Sequence, residues 1–324
     1  MTKICQLAIA LLFAIMQAVI LIESAVVFFF ILCRKSLRTV PNFYIASLSV
    51  SDFLVGAFFA TSAIIAALEV DVSGGWCRFI ITMELWSYTA GSVSLLALAI
   101  DRYRATCRAL RYRPTPFSTV CIIALVWFGA CLYCLRNVIR FEIDDENNET
   151  SHISPVWCNT FLGKQTLDLH FRVLDFFVVF LTPGILMSVL YFKVYFQLKT
   201  AFVIAPTSSF MRKRKTVKML ILQVCVFFVS WLPVYLHDIV REIQILTSTS
   251  TDEIKTSVGV EYMEVTFVLA HSIINPIIYA YYNTNFSREL TLVRRSLKRY
   301  FFRKNDIHPI SMDPSTKTTK ETVC

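Results

Sequence analysis

Seven long apolar stretches constrain this chain more than any other feature. A helix that crosses the ~30 Å hydrocarbon layer needs ~20 mostly apolar residues, because each residue rises ~1.5 Å. Such stretches run over about Cys5–Cys33, Phe43–Leu68, Phe79–Ile100, Val120–Leu135, Val173–Leu198, Val217–Val240 and Tyr262–Tyr282. The fourth is the shortest and needs Phe117–Thr119 to reach full width. The first is about twice a signal-peptide core and ends in Arg34 and Lys35, so it is expected to be a span. Hydrophobic residues make up 56% of the chain and charged residues 17%. A soluble domain has ~25% charged residues, and this chain could not cover one soluble core with polar surface. Disorder and collagen-like folds need low hydrophobicity or periodic Gly, and there are only 8 Gly. The expected fold is an all-α membrane protein: a seven-transmembrane helix bundle over residues 1–284, with an amphipathic interfacial helix at 285–304 and a disordered cytoplasmic tail at 305–324.

Orientation is read from Lys and Arg in short loops. Arg34, Lys35 and Arg38 follow the first stretch, and Arg104, Arg108, Arg111 and Arg113 follow the third. Arg212-Lys213-Arg214-Lys215 precedes the sixth, and a basic run follows the seventh. The alternate connections are acidic or mixed, with Glu69 and Asp71, Glu142 to Glu149, and Asp252 and Glu253. The basic set is expected to face the cytoplasm, with the N-terminus outside and the C-terminus inside. Anionic inner-leaflet lipid then accounts for the net charge of +9 without nucleic acid.

Ionisable residues are expensive inside a bilayer and usually face the bundle interior. Here they are Glu23, Asp52, Glu84, Asp101, Arg102, Asp175, Asp238 and His271. Any one of them could be a paired structural group or could lie near the interface. Their recurrence along the bundle favours function for the set.

Six motifs then follow one another in order, each on its own stretch. Leu48-Ser49-Val50-Ser51-Asp52 lies in the second, Asp101-Arg102-Tyr103 closes the third, and Trp127 lies in the fourth. Pro183 and Tyr191 lie in the fifth, Ser230-Trp231-Leu232-Pro233 in the sixth, and Asn275-Pro276-Ile277-Ile278-Tyr279 closes the seventh. Asn285-Phe286 follows. The chain resembles a rhodopsin-like (class A) G-protein-coupled receptor from the first stretch to the segment after the seventh. That resemblance implies a receptor for an extracellular ligand, at the plasma membrane, that activates a heterotrimeric G protein. It implies an activation switch of Asp101, Arg102, Tyr103, Tyr191, Phe227, Trp231, Pro233, Asn275, Pro276 and Tyr279. Arg102 would leave Asp101 on activation, meet Tyr191 and Tyr279, and with Leu110 contact the G protein. Prolines inside helices remove a hydrogen bond, so kinks are expected at Pro183, Pro233 and Pro276.

The chain departs from the family pattern in several places. Glu23-Ser24 stands where the first helix normally carries Gly-Asn, and Ser24 is expected to hydrogen-bond Asp52 in a polar network with Ser272 and Asn275. Gly91 replaces a hydroxyl residue and His271 an Asn, so the family's sodium site is expected to be weakened or absent. No other metal and no cofactor is expected. Lys213 stands where the sixth helix often opens with an acid that pairs with the arginine, so raised basal signalling is expected.

The resemblance also implies a disulfide between Cys77 and Cys158, which the oxidising exterior permits. Asn148-Glu149-Thr150 is a glycosylation sequon in the same outer loop. Few residues precede the first stretch, which argues against a large ligand captured by a long ectodomain.

For the ligand, Glu84 occupies the position where amine receptors carry an Asp, with Tyr88 one turn further in. Asp175 lies at the outer end of the fifth helix, and Tyr235 and Asp238 follow Pro233. Up to three carboxylates and two rings favour a small cationic, amine-like ligand. Against this, Val234, Thr266 and Leu269 replace aromatic residues that amine receptors use. Leu96-Ala97-Leu98-Ala99-Ile100-Asp101-Arg102-Tyr103 instead resembles adenosine-type receptors, and a peptide or lipid ligand stays open. A light-sensing reading fails because Leu269 takes the Schiff-base Lys position. A transporter would show an internal repeat, and none is found. The chain is not expected to be an enzyme, since its five His are scattered without ligand or catalytic spacing. After the seventh stretch, Ser311, Ser315, Thr316, Thr318, Thr319 and Thr322 form a phosphorylatable tract of the kind that recruits arrestin in this family.

Overall fold

The structure, a computed structural model, describes residues 3–108, 114–145, 165–204, 208–247, 258–283, 285–292 and 294–295. Seven helices long and apolar enough to cross a membrane pack side by side, as the apolar stretches predict. They are α1 (Lys3–Cys33), α2 (Val40–Ala67), α3 (Gly74–Cys107), α4 (Pro116–Asp145), α5 (Gln165–Asp175, a π turn at Phe176–Leu181, then Thr182–Ile204), α6 (Ser208–Thr247) and α7 (Val258–Tyr282). Helix α2 also carries a π turn, at Val55–Phe59. A short helix, α8, covers 285–292. It lies within the segment 285–304, where an interfacial helix is expected.

Three helix starts carry residues suited to a first turn. Ser73 accepts a hydrogen bond from the Trp76 amide at the start of α3. Thr115 and Ser118 exchange side-chain and backbone bonds of 3.2 and 3.3 Å ahead of α4. Pro41 sits in the first turn of α2, where its missing amide proton is no loss.

Each helix has an inner stripe and a lipid-facing remainder. On α1, Ala10, Phe13, Ile20, Ser24, Val27 and Ile31 are buried at helical spacing, while Leu7, Leu11, Ile22 and Phe29 are exposed. Outward-facing apolar side chains would be a fault in water; in lipid they are the solvent-facing surface.

Polar groups join the helices within the bundle. Trp127 Nε1 on α4 donates to Ser47 Oγ at 2.9 Å, and Ser47 Oγ lies 3.0 Å from Ser94 Oγ on α3. Such bonds are retained because lipid offers no alternative partner. Close approach needs small residues at two points. A Cβ at Gly56 would lie 2.9 Å from Ile20 on α1, and one at Gly184 would lie 2.5 Å from the Phe228 ring on α6. Pro233 and Pro276 lie inside α6 and α7, and Pro183 lies two residues after the π turn of α5.

Candidate functional site

A cavity of about 460 Å³ opens between α2, α3, α5, α6 and α7 at the end of the bundle away from Arg102. All five residues expected to bind ligand line it: Glu84, Tyr88, Asp175, Tyr235 and Asp238. Their helical spacing makes this possible. Glu84 and Tyr88 are four apart on α3, and Trp231, Tyr235 and Asp238 are four and three apart on α6. At the base of the cavity Tyr88 packs edge-on against Trp231, with ring centres 4.6 Å apart, and Trp231 meets Tyr235 at 6.1 Å.

The carboxylates are not equivalent. Asp175 is held by Arg136 of α4 in an ion pair and accepts a 2.7 Å hydrogen bond from Tyr133. The Arg136 guanidinium lies over the rings of Tyr133 and Phe171, at 4.2 and 5.0 Å. Asp238 is paired with Arg172 of α5 at 3.1 Å, and Arg241 lies 3.9 Å from it. On α7, Glu264 lies 2.9 Å from His237 Nδ1 and Glu261 4.0 Å from Arg241. Glu84 differs: its partner is neutral, the Ser62 hydroxyl of α2 at 2.6 Å, and among the described residues no ion pair holds it. Of the three expected carboxylates, two therefore come with their own cation. Sequence reasoning missed Arg136, Arg172 and Ser62. The only signal available was the presence of two Arg directly bordering apolar stretches.

Beneath Tyr88 and Trp231 lies a second cavity of about 30 Å³, lined by Asp52, Ser92, His271, Ser272 and Asn275 among others. Asn275 Nδ2 donates to both oxygens of Asp52, at 3.1 and 3.3 Å, and Ser272 lines the same cavity. The expected bond from Ser24 is not formed. The Ser24 hydroxyl is fully buried and has no hydrogen-bond partner among the described residues, and neither has Oε1 of Glu23 beside it. Asn275 reaches Asp52 from α7 and satisfies both of its oxygens, which leaves Ser24 outside the network. Gly91 makes room for a neighbour. A Cβ there would lie 2.4 Å from Ser51 Oγ, which instead donates to the Ser87 carbonyl at 2.7 Å. His271 packs against Phe227 and Trp231, at 6.2 and 6.4 Å.

At the opposite end, Arg102 Nε donates to Asp101 at 2.8 Å, and the Asp101 carboxylate is buried. Tyr191 and Tyr279 are buried nearby in the core; the Tyr279 hydroxyl accepts a 2.8 Å bond from Gln223 of α6. Tyr103 packs on Val194, Leu198 and Val217. Lys215 Nζ sits 5.4 Å from the Tyr281 ring centre. Cys77 is disulfide-bonded. Leu110, Asn148 and Cys158 lie outside the described residues, as does the side chain of Lys213.

The described residues thus place a cavity at one end of seven membrane-crossing helices, an arginine held at the other, and a polar core between them. Residues 23–279 match the family described as "7 transmembrane receptor (rhodopsin family)", and the chain belongs to it. It is therefore a multi-pass membrane protein of a receptor family and not an enzyme. Its sequence is similar to that of the tachykinin-like peptides receptor 99D of Drosophila melanogaster, 25% identical over 84% of this chain and 54% of that one. It is also similar to neuropeptide FF receptor 2 of Mus musculus, 24% identical over 82% of this chain and 67% of that one. Adenosine receptor A2b of Homo sapiens is 28% identical over 78% of this chain and 79% of that protein. The chain thus spans about half the length of the tachykinin-like receptor it matches.

Proposed function

We propose that this chain is a plasma-membrane receptor that binds an extracellular ligand in the Glu84 cavity and activates a heterotrimeric G protein. The cationic loops after α1 and α3 and before α6 support an N-terminus outside and the Arg102 end in the cytoplasm. A ligand would then enter from the Glu84 end. Its volume, about 460 Å³, is in the range of small-molecule sites.

The observation that carries the ligand reading is the contrast among the carboxylates. Asp175 and Asp238 are compensated by Arg136 and Arg172, whereas among the described residues the Glu84 carboxylate is hydrogen-bonded only by the Ser62 hydroxyl. A buried carboxylate with one neutral partner is the cavity's best anchor for a positive group. The ligand therefore bears one cationic group, an amine in the first reading, placed on Glu84 against Tyr88 and Trp231. A second reading has its own support. Relatives include peptide and adenosine receptors, and the acid–arginine pairs on the wall suit the mixed polar groups of a short peptide. Both readings keep the cation on Glu84 and differ in what fills the remaining space.

Ligand contact with Tyr88 and Trp231 would reach the small cavity through His271, Asn275 and Asp52, and from there the tyrosine pair Tyr191 and Tyr279. Release of Arg102 from Asp101 and an outward shift of α6 would open a cleft for the G protein, which Leu110 would also contact. This is a two-state change biased by differential ligand contact. The sodium site of the family fits poorly here, because Gly91 brings no hydroxyl and His271 brings a ring nitrogen where oxygen would be expected. A Cys77–Cys158 disulfide, glycosylation at Asn148 and arrestin recruitment by the phosphorylated tail complete the proposal. Its test is expression of the full chain with a panel of G proteins, screened with biogenic amines, nucleosides and peptides carrying a basic residue. Coupling to one G protein by a cationic compound is expected. Good surface expression with no coupling to any G protein would count against it.

A further inference from the structure

Glu84 meets Ser62 only because α2 is irregular. A π turn inserts one residue, so every later side chain is rotated by about 100° relative to an unbroken helix of 3.6 residues per turn. The π turn at Val55–Phe59 ends three residues before Ser62. It brings the Ser62 hydroxyl to 2.6 Å from Glu84 and the Phe59 ring to 5.9 Å from that of Tyr88.

A π turn leaves backbone carbonyls poorly paired, and in lipid they need another donor. That donor comes from α1. Gln17 Nε2 donates to the Gly56 carbonyl, inside the turn, at 3.1 Å and to Thr61 Oγ1 at 2.8 Å. Thr61 in turn donates to the Ala57 carbonyl at 2.7 Å, also inside the turn. Ile20, three residues after Gln17, packs so closely on Gly56 that a Cβ there would lie 2.9 Å from it. One amide side chain therefore serves the first half of the irregular segment, at Gly56 directly and at Ala57 through Thr61, while the Ser62 hydroxyl lies 2.9 Å from the Phe59 carbonyl at its far end; Gln17 lies on a helix that does not line the cavity.

We infer that Gln17 is a positioning residue for the ligand site: it holds the α2 π turn that aims Ser62 at Glu84. In importance to the site this rests on the Glu84 reading above, but the geometry it predicts does not. If α1 lets go, the turn can revert to regular helix. Ser62 then rotates away from the cavity, and Glu84 loses its hydrogen bond.

The experiment uses the full-length receptor carrying Ser62→Cys, with modification of the introduced thiol followed by mass spectrometry. The probes are 2-aminoethyl methanethiosulfonate, which is cationic, and its neutral 2-hydroxyethyl counterpart. A thiol facing Glu84 should react with the cationic probe roughly tenfold or more faster than with the neutral one, as expected for a unit charge a few ångströms away at low effective dielectric. Glu84→Gln should remove that preference. Gln17→Leu, which keeps the volume and removes the amide, should slow labelling at position 62 by both probes roughly tenfold, the effect of a ~1.4 kcal/mol shift against the exposed state. Thr61→Val should act in the same direction. A separate Ile81→Cys receptor, labelled in the same cavity wall, should be unaffected by Gln17→Leu, which separates loss of positioning from loss of fold. Unchanged labelling at position 62 in both Gln17→Leu and Thr61→Val overturns the inference and leaves the Glu84 reading standing. Loss of labelling at both positions, 62 and 81, also overturns it, since Gln17 would then support the bundle as a whole. A probe preference that survives Glu84→Gln contradicts the Glu84 reading, while slowed labelling in Gln17→Leu would still support the role of Gln17.

Discussion

Gln223 on α6 donates a 2.8 Å hydrogen bond to the hydroxyl of Tyr279 on α7, and both side chains are buried. The bond ties together two helices that must separate at the Arg102 end if α6 is to move. With Lys213 at the position where the family often carries an acid, Gln223–Tyr279 is proposed as a restraint on that helix. A buried hydrogen bond of this kind contributes about 1–3 kcal/mol when one partner is removed. Gln223→Leu should therefore raise ligand-free signalling several-fold, since about 1.4 kcal/mol is a factor of ten in a two-state population. Ligand-independent nucleotide exchange on a co-expressed G protein measures this. Basal exchange equal to that of the parent receptor would remove Gln223 from the switch.

The second prediction concerns Gly91. Its hydrogen gives Ser51 room to donate to the Ser87 carbonyl, and an alanine Cβ would sit 2.4 Å from Ser51 Oγ. Overpacking of this kind costs about 1–3 kcal/mol. Gly91→Ala should lower the melting temperature of the detergent-solubilised receptor by several degrees. Ser51→Ala removes the colliding oxygen and should restore most of the loss in the double variant. Additive losses from the two substitutions would show that the collision is not the cause.

The Arg136–Asp175 pair yields a third prediction. Both members are mostly buried, and removing one leaves the other uncompensated, at a cost of about 3–5 kcal/mol. Asp175→Asn should sharply reduce thermal stability and surface expression. Arg136→Met/Asp175→Asn should recover much of both, because no charge is then stranded. If the single variant is as stable as the parent, the pair is not a structural unit, and Asp175 becomes available to a ligand after all.

How much of this was legible beforehand follows from the range of the interactions. The seven helices were legible because apolar length is a local property, and their observed bounds contain the stretches read from sequence almost throughout. The five residues proposed for the ligand share one cavity because helical periodicity fixes which residues of a single helix point the same way. What joins different helices was not legible. Arg136 meets Asp175 and Arg172 meets Asp238 only after α4, α5 and α6 have taken up their mutual rotations, and the π turn at Phe176–Leu181 contributes to that of α5. Ser62 depends in the same way on a π turn that Val55–Phe59 does not announce. The expected Ser24–Asp52 bond failed for a related reason. Proximity was inferred from the family pattern, whereas the partners of Asp52 are set by the approach of α7.

Glu84 carries the functional reading, and one substitution tests it most directly. The most potent cationic agonist from the screen should be titrated on the parent receptor, on Glu84→Gln and on Glu84→Asp, with surface expression measured in parallel. Glu84→Gln should lower potency by about a hundredfold or more, as expected if ~3 kcal/mol of charge-assisted binding is lost. Glu84→Asp should retain part of it, and expression of both should match the parent. Unchanged potency in Glu84→Gln at normal expression would contradict the assignment of this carboxylate as the ligand's anchor.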